Sequence, residues 1–169
     1  MSFSSSSMSY FKRTRKIKST FEEIQFEWEI ANFFAKTEAD YDVVYESPVF
    51  TFADTPWILR LSLSARTKRW TLCMRYDEGA DIMLMEFEFG FRKVDGSMEQ
   101  FCMACDCFEL HQRYFIRDWK NSEFLQRKHE LALTGGLAIT CTLKQGIPRS
   151  NWPPVLQESS PITLASKYS

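Results

Sequence analysis

The sequence predicts an all-β fold, an antiparallel β-sandwich of about seven to eight strands with one short helix. Three observations predict it. Apolar and polar residues alternate with period two in one stretch after another, without helical stretches between them. Turn-formers punctuate these stretches at short intervals. Fifteen phenylalanines and five tryptophans supply the large buried area that a two-sheet core requires.

Phe26, Trp28 and Ile30 alternate with Glu27, Glu29 and Ala31, as in a half-buried strand. Asn32-Phe33 closes that strand with a turn-former and a large anchor. Residues 43–52 are the second candidate, with Pro48 marking an edge or a bulge. In 57–63, Trp57, Leu59, Leu61 and Leu63 share one face, and Arg60 and Ser62 take the other. In 70–76, Trp70, Leu72, Met74 and Tyr76 face one way, and Thr71, Cys73 and Arg75 the other. In 82–92, Met83, Met85, Phe87, Phe89 and Phe91 share a face. Asp95-Gly96 is a hairpin signal, and the return strand runs from about 98 to 110. A helix is expected over 122–131 with Ser122 as its N-cap. Gly135-Gly136 ends that region, and Leu137–Leu143 is the last strand. The shared faces place Trp28, Ile30, Phe50, Trp57, Leu59, Leu61, Leu72, Phe89 and Ile139 in the core.

The chain of 169 residues is long enough for one ordinary domain. The expected organisation is a disordered Ser-rich, basic tail over 1–20, a domain over 21–145, and a Pro/Ser-rich tail or linker over 146–169. Residues 1–21 hold five basic residues and no acid, which leaves the remainder six charges negative. An acidic body argues against nucleic acid as a partner. The basic run Lys12–Lys18 reads as a solubilising tail or as a nuclear import signal. No segment has the apolar length of a membrane helix, and no membrane partner is expected. An odd count of five cysteines fits a reducing compartment, the cytoplasm or nucleus.

Cys102-Met-Ala-Cys105-Asp-Cys107 brings three thiols together, but on a strand Cys105 and Cys107 point away from Cys102. No second ligand pair stands nearby in sequence, so no metal is expected. His111 and His129 lack a nucleophile elbow, and Glu86 and Glu88 read as a solvated face. No cofactor and no catalysis are expected; the chain reads as a binding module.

Trp28-Glu-Ile-Ala-Asn-Phe33, Ser47-Pro-Val-Phe50, Trp57-Ile-Leu-Arg60, Phe87-Glu-Phe89 with Asp95-Gly96, and Leu137 to Cys141 form an ordered set. That set resembles a MATH (TRAF-like) domain over roughly residues 21–145. It is most similar to those of speckle-type POZ proteins and their arthropod MATH–BTB relatives. The resemblance implies a shallow groove that binds short Ser/Thr-rich motifs of intracellular protein ligands. By analogy with those relatives, it also implies a link to a cullin-3-type ubiquitin ligase. The family's basic groove residue falls on Arg60, and its groove tyrosine on Cys73. Its groove aromatics fall on Phe87 and Phe108. Asp118-Trp119-Lys120 matches part of the family's Asp-Trp-Gly pocket loop, and Phe115-Ile-Arg-Asp118 alternatively matches the segment after that loop. On the first match Trp119, in a polar stretch, is an exposed interface anchor and Asp118 caps ligand hydroxyls. The alternative function is a TRAF-like self-associating signalling scaffold. Residues 1–20 lack the heptads that such a scaffold normally carries before its sandwich.

Overall fold

The structure is a computed structural model. It describes the backbone of residues 3–4, 9–18, 21–52, 54–76, 83–108 and 113–148, and the side chains of 23–52, 54–75, 85–104 and 113–145. The strands are β1 (Phe3–Ser4), β2 (Ser9–Lys18), β3 (Phe21–Ile30), β4 (Val43–Glu46), β5 (Phe50–Phe52) and β6 (Thr55–Ser64). They continue with β7 (Arg69–Tyr76), β8 (Met83–Arg92), β9 (Met98–Phe108), β10 (Arg113–Lys120) and β11 (Leu137–Pro148). A 3-10 turn, Phe33–Lys36, follows β3, and helices α1 (Asn121–Gln126) and α2 (Lys128–Leu131) precede β11.

The strands form two sheets, an all-β sandwich. Sheet A runs β1-β4-β6-β7-β10 with β5 alongside β6, and sheet B runs β2-β3-β11-β8-β9. The pairs are antiparallel except β1 with β4. All nine residues expected in the core are buried. β6 alternates buried and half-buried along its whole length, because each apolar side chain enters the space between the sheets. Glu86 and Glu88 are exposed on the outer face of sheet B.

Four local expectations are corrected. Residues 43–52 split into β4 and β5. Ser47 Oγ accepts from the Leu59 amide at 2.9 Å, and the chain turns at Pro48 before pairing resumes at Phe50. Residues 9–18, expected in a tail, form β2 against β3, with Lys12 in register with Glu27 and Lys16 with Glu23. Opposite charges placed directly across from each other favour that pairing. The side chains of β2 lie outside the described residues, as do the Cys105, Cys107 and His111 side chains and residues 149–169. Asp118-Trp119-Lys120, matched to part of a pocket loop, lies on the strand Arg113–Lys120, which among the described residues is at the end of sheet A.

The fourth correction concerns the helix. α1 begins at Asn121, with Lys120 at its N-cap position and no side-chain cap, so Ser122 does not cap it. Asn121 turns inward instead. Its Oδ1 accepts from the Trp70 indole at 2.8 Å and its Nδ2 donates to the Thr37 carbonyl at 2.5 Å. One buried amide thus ties sheet A, the 3-10 turn and α1 together. Asn121→Ala should cost about 2–3 kcal/mol, since it leaves a buried indole N–H and a carbonyl without their partner. Urea denaturation checks this, and a variant as stable as wild type would show that the bridge contributes nothing.

Candidate functional site

Side chains pointing outward from sheet A come from β4, β6, β7 and β10. Residues in register share a face, so one row crosses the sheet as Glu46, Arg60, Cys73 and Phe115. The next row holds Ile58, Arg75 and Arg113. Cys73 and Phe115 are half-buried in this surface, and Arg113 is exposed at its rim. Arg60 Nε lies 4.0 Å from Glu46 Oε1. Burial raises the Cys73 thiol above its ordinary pKa, while Arg113 and then Arg60 pull it back. The Cys73 thiol is therefore neutral at pH 7, an apolar surface element and not a nucleophile.

The same holds for the other described thiols. Burial raises Cys102, and raises Cys141 well above the usual thiol range. Cys102 stands across from Phe89 and Cys105 across from Glu86 on β9. Among the described residues no three His, Cys, Asp or Glu side chains form a group that would hold a metal ion. No helix is long and apolar enough to cross a membrane among the described residues.

The structure brings together two of the six expected site residues, Arg60 and Cys73. Phe87 is only 2% exposed. It belongs to the core side of sheet B, with its ring 5.1 Å from Tyr114 and 5.8 Å from Phe89. It borders a depression of about 280 Å³ on the outer face of sheet B, walled by Glu86, Glu88, Met103 and Lys144. That depression lies across the sandwich from Arg60 and Cys73. Phe108 ends β9 opposite Met83, and its side chain lies outside the described residues.

Asp118 and Trp119 do not make a pocket loop. Both lie on β10, in register with Thr71 and Trp70. The Asp118 carboxylate is held by Arg69, whose Nε and Nη2 both lie 2.6 Å from Oδ2. Trp119 is 6% exposed. Its ring packs against Phe101 at 5.0 Å, Phe91 at 5.4 Å and Phe124 at 5.4 Å. It walls a cleft of about 270 Å³ between β9, β10 and α1. Arg117 spans the mouth of that cleft, donating to the Phe101 carbonyl at 2.8 Å with its guanidinium 6.0 Å from the Trp119 ring. Arg127 closes the far side, with Nη1 3.1 Å from Glu99 and Nη2 2.9 Å from Glu130. These contacts hold the Glu99 and Glu130 carboxyls below the usual range.

Sequence reasoning missed Phe115 and Arg113. The signal that carries them is the alternation Arg113-Tyr114-Phe115, in which Tyr114 turns in to meet Phe87. A bulge between Phe115 and Arg117 breaks that alternation at once. The fold and this surface define a class: a β-sandwich in which Arg60, Cys73, Arg113 and Phe115 share the outer face of a sheet that ends, among the described residues, at β10. No family model matches the chain, and no curated protein matches it.

Proposed function

We propose that the chain is a peptide-recognition module of the MATH (TRAF-like) kind. In this reading it selects intracellular protein ligands through short Ser/Thr-rich motifs, for a cullin-3-type ubiquitin ligase. Its mechanism is binding alone. The observation that carries the reading is the position of β10. Among the described residues β10 pairs with β7 and sits at the end of its sheet. An extended peptide would join as a further strand on that edge and take its affinity from main-chain hydrogen bonds. Outward side chains of the peptide would then stand beside Arg113 and Phe115 of β10, with Cys73 of β7 behind them. The ordered motifs from Trp28 to Cys141 support the family, and the outward side chain of Arg60 agrees with the role the resemblance gives it. The ligase link rests on the resemblance alone.

The test is an array of Ser/Thr-rich peptides probed with the full chain. At least one peptide should bind. Phe115→Ala should weaken that binding by about 1–2 kcal/mol, as loss of an interface aromatic does, with an unchanged melting temperature. Failure of every peptide to bind, or a Phe115→Ala variant that binds like wild type, would sink the reading.

A further inference from the structure

β11 makes a low floor on the outer face of sheet B. Its outward residues Ala138, Thr140 and Thr142 are short, while Ile139, Cys141 and Leu143 turn into the core. Taller side chains stand on both sides, Gln25 and Glu27 on β3 and Glu88 and Arg92 on β8. Gly90, across from Thr140, adds no side chain, and a Cβ there would lie 2.6 Å from the Glu99 carbonyl oxygen and 3.1 Å from Thr140 Oγ1. The result is a trough of about 450 Å³, within the range of roughly 300–1,000 Å³ that ligand sites occupy. Arg92 closes one end by crossing β11 to Glu27 at 2.6 Å, and its other nitrogens donate to the Gly96 carbonyl and to the Met98 sulfur. Two groups in the trough are left over. Thr140 is 7% exposed, and its hydroxyl makes no hydrogen bond among the described residues. Glu88 is exposed and makes no ion pair among them. No cation shares the row of Gln25, Thr142, Glu88 and Met103; Lys144, one row on, stands between Glu23 and Glu86. The Gln25 amide turns its Nε2 to Glu23 at 3.4 Å, which leaves Oε1 to the trough.

We propose that this trough binds the ammonium end of a lysine side chain from a partner protein. Glu88 is its counter-charge, and the Thr140 and Thr142 hydroxyls and Gln25 Oε1 are its acceptors. The site lies on the other sheet from β10 and does not rest on the peptide-binding edge. An ammonium is compact and carries three donors and no acceptor, so it suits acceptors grouped around one carboxylate. Its approach also gives the buried Thr140 hydroxyl the partner it lacks, which offsets the cost of that hydroxyl's burial. Met103, 74% exposed and in register with Glu88, offers the lysine stem an apolar surface. An anion would meet Glu88 with its charge unopposed. A divalent cation needs more carboxylate than this, and among the described residues no three His, Cys, Asp or Glu side chains group to hold one. A free polyamine has several ammoniums to match, whereas Glu27 is already held by Arg92 and Glu88 is a single charge.

The experiment is an amide NMR titration of the full chain with acetyl-Gly-Lys-Gly-amide, and with the same peptide acetylated on its lysine. The lysine peptide should shift the amides of Thr140, Thr142 and Glu88 in a saturable way. Acetylation removes the charge and should weaken that binding about tenfold. Glu88→Gln and Thr140→Val should each weaken it about fivefold or more while the melting temperature holds. Glu86→Gln, one row away, should leave it unchanged. Thr140→Val separates binding from structure, because valine keeps the shape and removes only the hydroxyl. Absence of saturable shifts at the trough overturns the inference, as does equal binding of the acetylated copy or wild-type binding by Thr140→Val. An equal loss in Glu86→Gln would make the attraction a general one of the acidic face and overturn it too. Spermidine binding at the same amides more tightly than the peptide would hand the trough to a free polyamine and overturn the lysine assignment. The Ser/Thr-rich array reads the β10 edge separately, so failure at the trough and failure at the edge are distinguishable.

Discussion

Trp119→Ala should destabilise the domain by about 3–5 kcal/mol, the range for emptying a large aromatic site in a packed core. The indole sits where β10, β8, β9 and α1 meet, with Phe91, Phe101 and Phe124 around it. Removing it takes ring contacts from all three neighbours. Peptide binding by the folded fraction should be unchanged, because the strip at Arg60, Cys73 and Phe115 lies on the outer face of the sheet. Urea denaturation and anisotropy measured on the same sample separate the two effects. A Trp119→Ala variant that keeps wild-type stability and loses peptide binding would make Trp119 an exposed anchor and show the register of β10 to be wrong.

The contrast between Trp119 and Arg60 explains what was legible in the sequence. β6, β7 and β8 keep strict alternation without interruption, so the core face and the outward position of Arg60 and Cys73 follow from period two alone. β10 carries the same information in damaged form. Its bulge adds Ile116 to the strand, and beyond it Arg117, Asp118 and Lys120 surround one buried tryptophan. Polarity then outvotes period, and Asp118-Trp119 looks like a loop. The alternative match, with Phe115-Ile-Arg-Asp118 following the pocket loop, agrees with a buried Trp119. The pairing of β2 was hidden differently: its residues are basic, and their match to Glu23 and Glu27 appears only once the register with β3 is known. Asn121 was hidden because a polar residue at a helix start suggests a cap, whereas here its amide bridges two elements distant in sequence. Phe87 shows the limit of positional analogy. The stripe Phe87, Phe89 and Phe91 behaves as one core face, and nothing in its spacing sets Phe87 apart.

Trp28 is the position where size and polarity can be separated. It lies on β3 opposite Ile139 of β11 and is 1% exposed. Its indole N–H is buried without a hydrogen-bond partner among the described residues. Trp28→Ala should cost about 3–5 kcal/mol, since it removes the whole ring from between the sheets. Trp28→Phe should cost much less, about 1 kcal/mol. It keeps most of the apolar area, and deleting an unsatisfied donor returns part of what the smaller ring loses. The Trp57 indole supplies the control, because its N–H donates to the Phe52 carbonyl at 3.0 Å. Trp57→Phe removes that bond, so it should cost more than Trp28→Phe although both change the same atoms. Chemical denaturation of the three variants decides the matter. If Trp28→Phe is as damaging as Trp28→Ala, the indole N–H has a partner and the orphaned donor is not real. If Trp28→Ala melts like wild type, Trp28 does not lie in the core and the pairing of β3 with β11 is misread.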